Sequence, residues 1–240
     1  MLYKKYALFY KNMFQHLRFT DDGSHTVYNS LVNECYHSVH GARSESEHIF
    51  IRSGLHEMHR TDISVFEVGF GTGLNALLTL EEALQKQLSV HYTAVERYPI
   101  GPDLYEQLNY GATPQERDIF LQLHRAEWER EVPLCDCFSL KKTEADFTQM
   151  PLFESYDVVY YDAFSPERQP EMWGEELFAK LYDAMNEGGV LVTYCAKGVV
   201  RRTLQAVGFL IHIFSFLFGC LYVCVIEDHV FSHKTKQAKN

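Results

Sequence analysis

The chain has 240 residues and a formal net charge of −10. That length suits one α/β domain with a sizeable core and leaves two full domains cramped. The acidic balance argues against sequence-blind nucleic-acid binding, which needs clustered cations to displace counterions, while leaving room for a local basic patch. Six cysteines, at 35, 135, 137, 195, 220 and 224, make no paired C-x-x-C zinc frame. In His56-Glu57-Met58-His59 the second histidine arrives one residue too early for a zinc-binding helix face, so no metal site is expected. The opening MLYKKYALFYKNMF lacks the apolar core and cleavage site of an export signal, and a cytoplasmic location is the expectation.

Residues 1–54 read as an N-terminal β extension, a hairpin (HTVYN, HIFIR) with a connecting helix, packed on the catalytic domain. After Gly54 the rhythm changes. ISVFEV (63–68) is β-branched and aromatic, as strands are. Gly69–Gly73 is a tight turn, and Leu74–Gln87 carries helical spacing at Leu74, Leu77, Leu78 and Leu84. VHYTAVE (90–96) predicts a second strand, and 101–130 reads as helical pieces interrupted near Gly111 and Pro114. Strands come next at 137–147, 156–162 and 189–195, with a helix over 175–185. This alternation implies a mostly parallel sheet with right-handed crossovers. The run FLIHIFSFLFGCLYVCVI (209–226) is just long enough for a membrane span, roughly 17–25 residues. Its His212 and Ser215 and its Phe, Tyr, Val and Ile content favour an antiparallel hairpin turning near Phe218-Gly219. The catalytic domain is thus expected over 55–226, with a polar tail at 227–240.

FEVGFGTGLN (66–75) joins the first strand to a helix. Glycine serves where φ is positive or a ligand comes close, and the helix amino end offers unpaired N–H groups. The spacing G-F-G-T-G is not the G-x-G-x-x-G of a pyrophosphate cradle. With Glu67 two residues before Gly69, the turn suits a cationic ligand without phosphate, such as S-adenosyl-L-methionine. Glu96 ends the second strand, where a carboxylate can accept from both hydroxyls of a ribose. Asp146, near the end of the third, is placed for an adenine amino group. Asp162 ends the fourth, facing the transferred group, where a carboxylate orients an amine and accepts its proton. Phe164, Pro166 and Trp173 would wall that end against water.

FEVGFGTGLN, AVERYPI, YYDAFSPERQPEMW and AKGVVRRTLQAVGF together resemble the methyltransferase half of the MnmC family, bifunctional tRNA wobble-uridine modification proteins; the likeness covers about residues 26–209. It implies a Rossmann-like class I S-adenosyl-L-methionine-dependent methyltransferase fold. The expected core is a mostly parallel seven-stranded sheet with helices on both faces and an N-terminal β extension. The implied reaction is N-methylation of 5-aminomethyl-2-thiouridine at the tRNA wobble position. Glu67, Gly69, Gly71 and Gly73 would line the methionine end of the cofactor, with Phe70, Thr72 and Asn75 of the same stretch in its site. Glu96 would hold the ribose, Asp146 the adenine, and Asp162 the substrate amine. Tyr28, Tyr36, His37 and Glu45 also fit the family pattern and would close the pocket. Lys197, Arg201 and Arg202, with Arg43 and Lys141-Lys142, are candidate phosphate contacts. The sequence carries no second nucleotide fingerprint, so a separate flavin-dependent oxidase would act upstream. Beyond Phe209 the chain departs from the family's usual ending. Two rival readings stand beside this one: methyl or aminopropyl transfer to a small free amine, and cofactor binding without catalysis.

Overall fold

The computed structural model describes residues 14–215 and 221–226. The proposed turn at Phe218-Gly219 and the tail 227–240 lie outside them. Strands β1 (Gln15–Phe19), β2 (His25–Asn29) and β3 (Glu34–Cys35) form a small antiparallel sheet. A short helix α1 (Ala42–Ser46) and two irregular helical turns, Glu47–Arg52 and Leu55–Glu57, lead into the main sheet. Those turns bury Ile49, Phe50, Ile51 and Leu55 in the main core, so residues 47–57 are built into the body of the main sheet.

The main sheet alternates strands with helices. β4 (Asp62–Val68), α2 (Leu74–Lys86), β5 (Ser89–Glu96), α3 (Pro102–Tyr105) and α4 (Pro114–Arg125) come first. β6 (Glu131–Cys135), β7 (Phe138–Glu144), β8 (Tyr156–Tyr161) and α5 (Glu175–Asp183) are next in order. β9 (Met185–Thr193), α6 (Gly198–Val207), β10 (Leu210–Ser215) and β11 (Leu221–Ile226) complete it. The order across the sheet is β10-β11-β9-β8-β4-β5-β7-β6. β9, β8, β4, β5 and β7 are mutually parallel, and the expected terminal hairpin is present as antiparallel β10 and β11.

Among the described residues the main sheet has eight strands where seven were expected. The addition is β6, antiparallel to β7, in a stretch (EVPLC) whose Pro133 weakens any strand signal. Proline lacks the N–H for a second neighbour, and an edge strand needs none. Pro114, an apparent interruption, sits instead at the first position of α4 behind a capping box made by Thr113 and Glu116, where its missing N–H costs nothing.

Successive strand residues point to opposite faces, so both faces need cover. Ile63, Val65, Tyr92, Val158, Tyr160 and Val192 pack with Leu77 and Leu80 of α2. Phe66, Val68, Val159, Tyr161 and Leu191 pack on the other face with Phe178 and Leu181 of α5 and Leu204 of α6. Burying each large apolar side chain contributes roughly 1.5–3 kcal/mol. Helices therefore lie on both faces, as expected.

Chain order runs from β4 one way to β5 and β7, and the other way from β8 to β9. The crevice of such a sheet opens at this reversal, beyond the strand carboxyl ends. Here the tips of β4 and β8 meet: the Asp162 N–H donates to the Val68 carbonyl at 3.0 Å. Gly69, at φ 93°, lies so close that an added Cβ would stand 2.7 Å from the Asp162 carbonyl oxygen. A Gly69→Ala variant is expected to lose at least about 1–2 kcal/mol from the left-handed backbone alone, with the clash adding to it. Urea unfolding measures this, and an unchanged midpoint would refute the close approach.

Candidate functional site

Gly69, Gly71 and Gly73 all have positive φ, at 93°, 52° and 74°. The alternation folds the turn back on β5: the Gly69 and Phe70 N–H groups donate to the Val95 carbonyl at 2.9 and 3.4 Å. The Gly71 N–H donates to Glu96 Oε2 at 3.0 Å, and the Tyr98 N–H donates to Oε1 at 2.7 Å. Glu96 is thereby clamped by backbone donors, while each carboxylate oxygen retains further acceptor capacity. Gly73 seats the start of α2, where an added Cβ would meet His124 and Phe70.

Below the turn, one amide joins two acids. Asn75 Nδ2 donates to Asp162 Oδ2 at 2.9 Å and to Glu67 Oε1 at 3.0 Å. Burial pushes the Asp162 carboxyl up to about 8; the Asn75 hydrogen bond opposes this and nearby Glu45 adds to it. Burial, then Asp162, drive Glu67 well above the ordinary carboxyl range. Burial raises Glu45 to about 6 against the Ser38 N–H that it accepts at 2.8 Å. Burial alone lowers His37 to about 4, so the ring is neutral at pH 7, with Nε2 2.7 Å from Thr72 Oγ1. Asp146 is held low first by the Thr148 hydroxyl, which donates to Oδ1 at 2.7 Å; Arg97 pairs with Oδ2 at 3.0 Å.

A roof from the N-terminal sheet meets the loop after β8. Ser165 donates from Oγ to Glu34 Oε2 at 2.7 Å, and the Tyr36 ring stands edge-on to Phe164 at 5.1 Å. Gln169 Oε1 accepts from the Phe164 N–H at 3.0 Å, and the Tyr194 hydroxyl donates to the Ala163 carbonyl at 2.8 Å. Beneath this roof lies a cavity of about 480 Å³, within the usual range for ligand sites.

The cavity brings together Gly69, Phe70, Gly71, Thr72, Asn75, Glu96, Asp146, Asp162, Tyr36, His37, Glu45 and Phe164. Other residues expected in the site lie outside its lining. Glu67 is fully buried behind Asn75, and Gly73 faces His124. The Tyr28 hydroxyl donates to Asn33, and Arg18 covers its ring. Pro166 lies on the loop past Phe164. Trp173 is a correction: it is buried among Tyr161, Phe178 and Tyr194 and donates from Nε1 to the Phe164 carbonyl, bracing the wall from behind.

The candidate phosphate cations also fall outside the lining, whereas Arg97, paired with Asp146, is part of it. Lys197 pairs with Glu167, and Arg43 with Glu47 and Glu81. Arg201 and Arg202 lie on α6, and Lys141 pairs with Glu154. Lys142 is corrected outright as a phosphate contact: it is fully buried, and Nζ donates to the Leu123 and His124 carbonyls that end α4. Glu34, Arg97, Gln169 and Tyr194 were missed; Arg97 directly follows Glu96 at the strand tip, whereas Glu34 is brought to the cavity by a long-range contact, its bond to Ser165. Among the described residues, no three His, Cys, Asp or Glu side chains gather as metal ligands, and no helix is long and apolar enough to cross a membrane.

The cavity fits a cationic adenosyl ligand. Asn75 Oδ1 is buried with no hydrogen-bond partner among the described residues, as if awaiting a donor. Acids at successive strand tips, with no cation lining the glycine turn itself, suit a sulfonium and an ammonium better than a pyrophosphate. This is the architecture of the class I S-adenosyl-L-methionine-dependent methyltransferase fold. Residues 114–215 match a family described as S-adenosyl-L-methionine-dependent methyltransferase. The chain is 30% identical over 211 residues to the tRNA 5-methylaminomethyl-2-thiouridine biosynthesis bifunctional protein MnmC of Cupriavidus metallidurans, covering 80% of this chain and 31% of that protein. It is 32% identical over 219 residues to MnmC of Aeromonas salmonicida, covering 81% of this chain and 32% of the relative. The chain thus spans about a third of the length of the curated relatives it matches. The crystal structure of MnmC2 from Aquifex aeolicus superposes with a TM-score of 0.71 at 24% identity, covering 93% of this chain and 75% of that one. Spermidine synthase from Thermotoga maritima shares the fold at a TM-score of 0.53 and 13% identity, covering 89% and 68%.

Asp162 carries a consequence for stability. Its folded carboxyl, raised from 3.8 to about 8, holds a proton that the unfolded chain releases. Stability from this group is therefore full below about pH 4 and is lost as pH rises toward 8. Asp162→Asn removes that loss. Calorimetry is expected to show its thermal midpoint at pH 8 above wild type by about 2 °C or more, with the gap shrinking toward pH 4. An equal midpoint at pH 8 would contradict the buried environment of this carboxyl.

Proposed function

We propose that this chain methylates the primary amine of 5-aminomethyl-2-thiouridine at the tRNA wobble position, giving the 5-methylaminomethyl nucleoside. The observation that carries this is the placement of Asp162. Its carboxyl ends β8 at the switch point, is held by Asn75, and faces a cavity shared by the glycine turn and the aromatic roof. When bound, S-adenosyl-L-methionine supplies an electrophilic methyl group on sulfur. Glu96 would accept from the ribose hydroxyls, Asp146 would take the adenine amino group, and Gly69, Gly71 and Asn75 would line the methionine end. The acceptor amine must shed a proton to present its lone pair, and Asp162 orients the nitrogen and takes that proton. Tyr36 and Phe164 form the flat apolar wall beside the base, with Trp173 fixing Phe164. The aminomethyl acceptor would come from a separate flavin-dependent oxidase, and the reaction would run in the cytoplasm, where tRNA is available.

One observation favours a rival, transfer to a small free amine. Lys197, Arg43 and Lys141 are paired with acids and Lys142 is buried, which leaves few of the described cations for phosphate. Salt separates the two. Phosphate contacts make affinity fall steeply with salt, whereas turnover of a free amine would scarcely change.

Incubation with labelled cofactor and tRNA lacking the modification, followed by nucleoside analysis, is expected to place label in 5-methylaminomethyl-2-thiouridine; label elsewhere or none would refute the substrate. Asp162→Asn is expected to lower the rate at least about a hundredfold and to leave cofactor affinity within a few fold. The wild-type kcat/KM should climb with pH through about 8, because the base must be ionised to work. A flat profile would remove Asp162 from proton transfer.

A further inference from the structure

Directly beneath the cavity lies a second carboxyl that the reaction does not use. Glu67 is 0% exposed and lies outside the cavity lining. Its Oε1 accepts from Asn75 Nδ2 at 3.0 Å, and the same nitrogen donates to Asp162 Oδ2 at 2.9 Å. The two hydrogens of one amide thus serve two acids on neighbouring strands, with Asn75 itself only 2% exposed. Glu67 Oε2 makes no hydrogen bond of ordinary length among the described residues.

Among the described residues, no cation balances this pair. The groups that face Glu67 are Asp162 at the tip of β8, Tyr160 of β8, Asn75 on α2, and Tyr92 and Glu96 of β5; those that face Asp162 are Glu67, Asn75, Glu45, Tyr92 and Tyr194. Every one is neutral or acidic. Two neighbouring carboxylates in such surroundings repel, and each is costly to take out of water. The pair therefore carries at most one negative charge and titrates as a unit. Its location is set by access. Glu67 is sealed, whereas Asp162 opens on the cavity, where water or a cationic ligand can solvate it.

We propose that Glu67 is a positioning residue kept as the neutral acid, which through the Asn75 amide confines ionisation of the pair to Asp162. This rests on the reading of Asp162 as the proton acceptor. It differs from the expectation drawn from sequence, in which a charged Glu67 attracts the ligand's ammonium directly. A neutral Glu67 exerts no such pull; it fixes Asn75 and spares Asp162 a like charge a few ångströms away.

Carboxyl ¹³C NMR on the ligand-free protein tests this, with resonances assigned through Glu67→Gln and Asp162→Asn. The Glu67 signal is expected at the protonated position throughout about pH 5–8, while Asp162 titrates. In Glu67→Gln the Asp162 midpoint should stay within about 0.3 unit, because no charge is removed, whereas loss of a charged neighbour would drop it by about one unit or more. Glu67→Leu, which takes away the Asn75 partner, should lower kcat at least about tenfold and raise the midpoint, and Glu67→Gln should recover most of that loss. A Glu67 signal at the ionised position at pH 7, or a fallen midpoint in Glu67→Gln, would overturn the proposal. Because the spectra need no substrate, they decide it even if tRNA proves not to be the acceptor.

Discussion

The site depends on a contact between two strand tips. Gly69 abuts the Asp162 carbonyl, and the Asp162 N–H is bonded to Val68. Only a residue without Cβ, at positive φ, permits that approach. Once the tips touch, the glycine turn and the fourth-strand acid share one crevice, and α2 delivers Asn75 between Glu67 and Asp162. Distance between the proposed donor seat and the proposed proton acceptor, Asp162, is thus set by rigid sheet geometry rather than by a loop, which is how positioning lowers a barrier.

The N-terminal sheet completes the enclosure. Glu34 grips Ser165, His37 touches Thr72, and Tyr36 stands against Phe164. These contacts roof a cavity whose acceptor end is acidic, with Asp162, Glu45 and Glu34 all acting on the Tyr194 phenol, which burial above all drives upward. A cavity rich in carboxyls and poor in cations selects against anionic small molecules. On the proposed reading it favours an amine over a hydroxyl acceptor, because Asp162 takes the proton that the ammonium sheds.

Much of this was legible from local patterns. The strand–glycine turn–helix over 62–86 is written in β-branched residues, three glycines and leucine spacing. The acids at 96, 146 and 162 are found at strand ends, since a parallel sheet sends all its carboxyl ends to one side. What escaped depends on distant partners. Pro133 hid an edge strand that only the sheet order explains. Trp173 looks like a ligand platform from its loop, yet its ring turns inward to Tyr161 and Phe178. Alternation along β7 puts Lys142 on the buried face of Phe138 and Leu140, against what its charge suggests, and that face meets the end of α4, whose carbonyls accept from its ammonium. No rule of spacing pairs Glu34 with Ser165, or shows that Glu67 lies one layer too deep to touch a ligand.

The most direct measurement is a crystal structure with S-adenosylhomocysteine bound. We expect its ribose hydroxyls on Glu96 and its sulfur turned toward the Asp162 carboxyl beneath the Tyr36–Phe164 roof. Product bound away from the glycine turn, or a sulfur facing the side opposite Asp162, would contradict the assignment of this crevice to amine methylation.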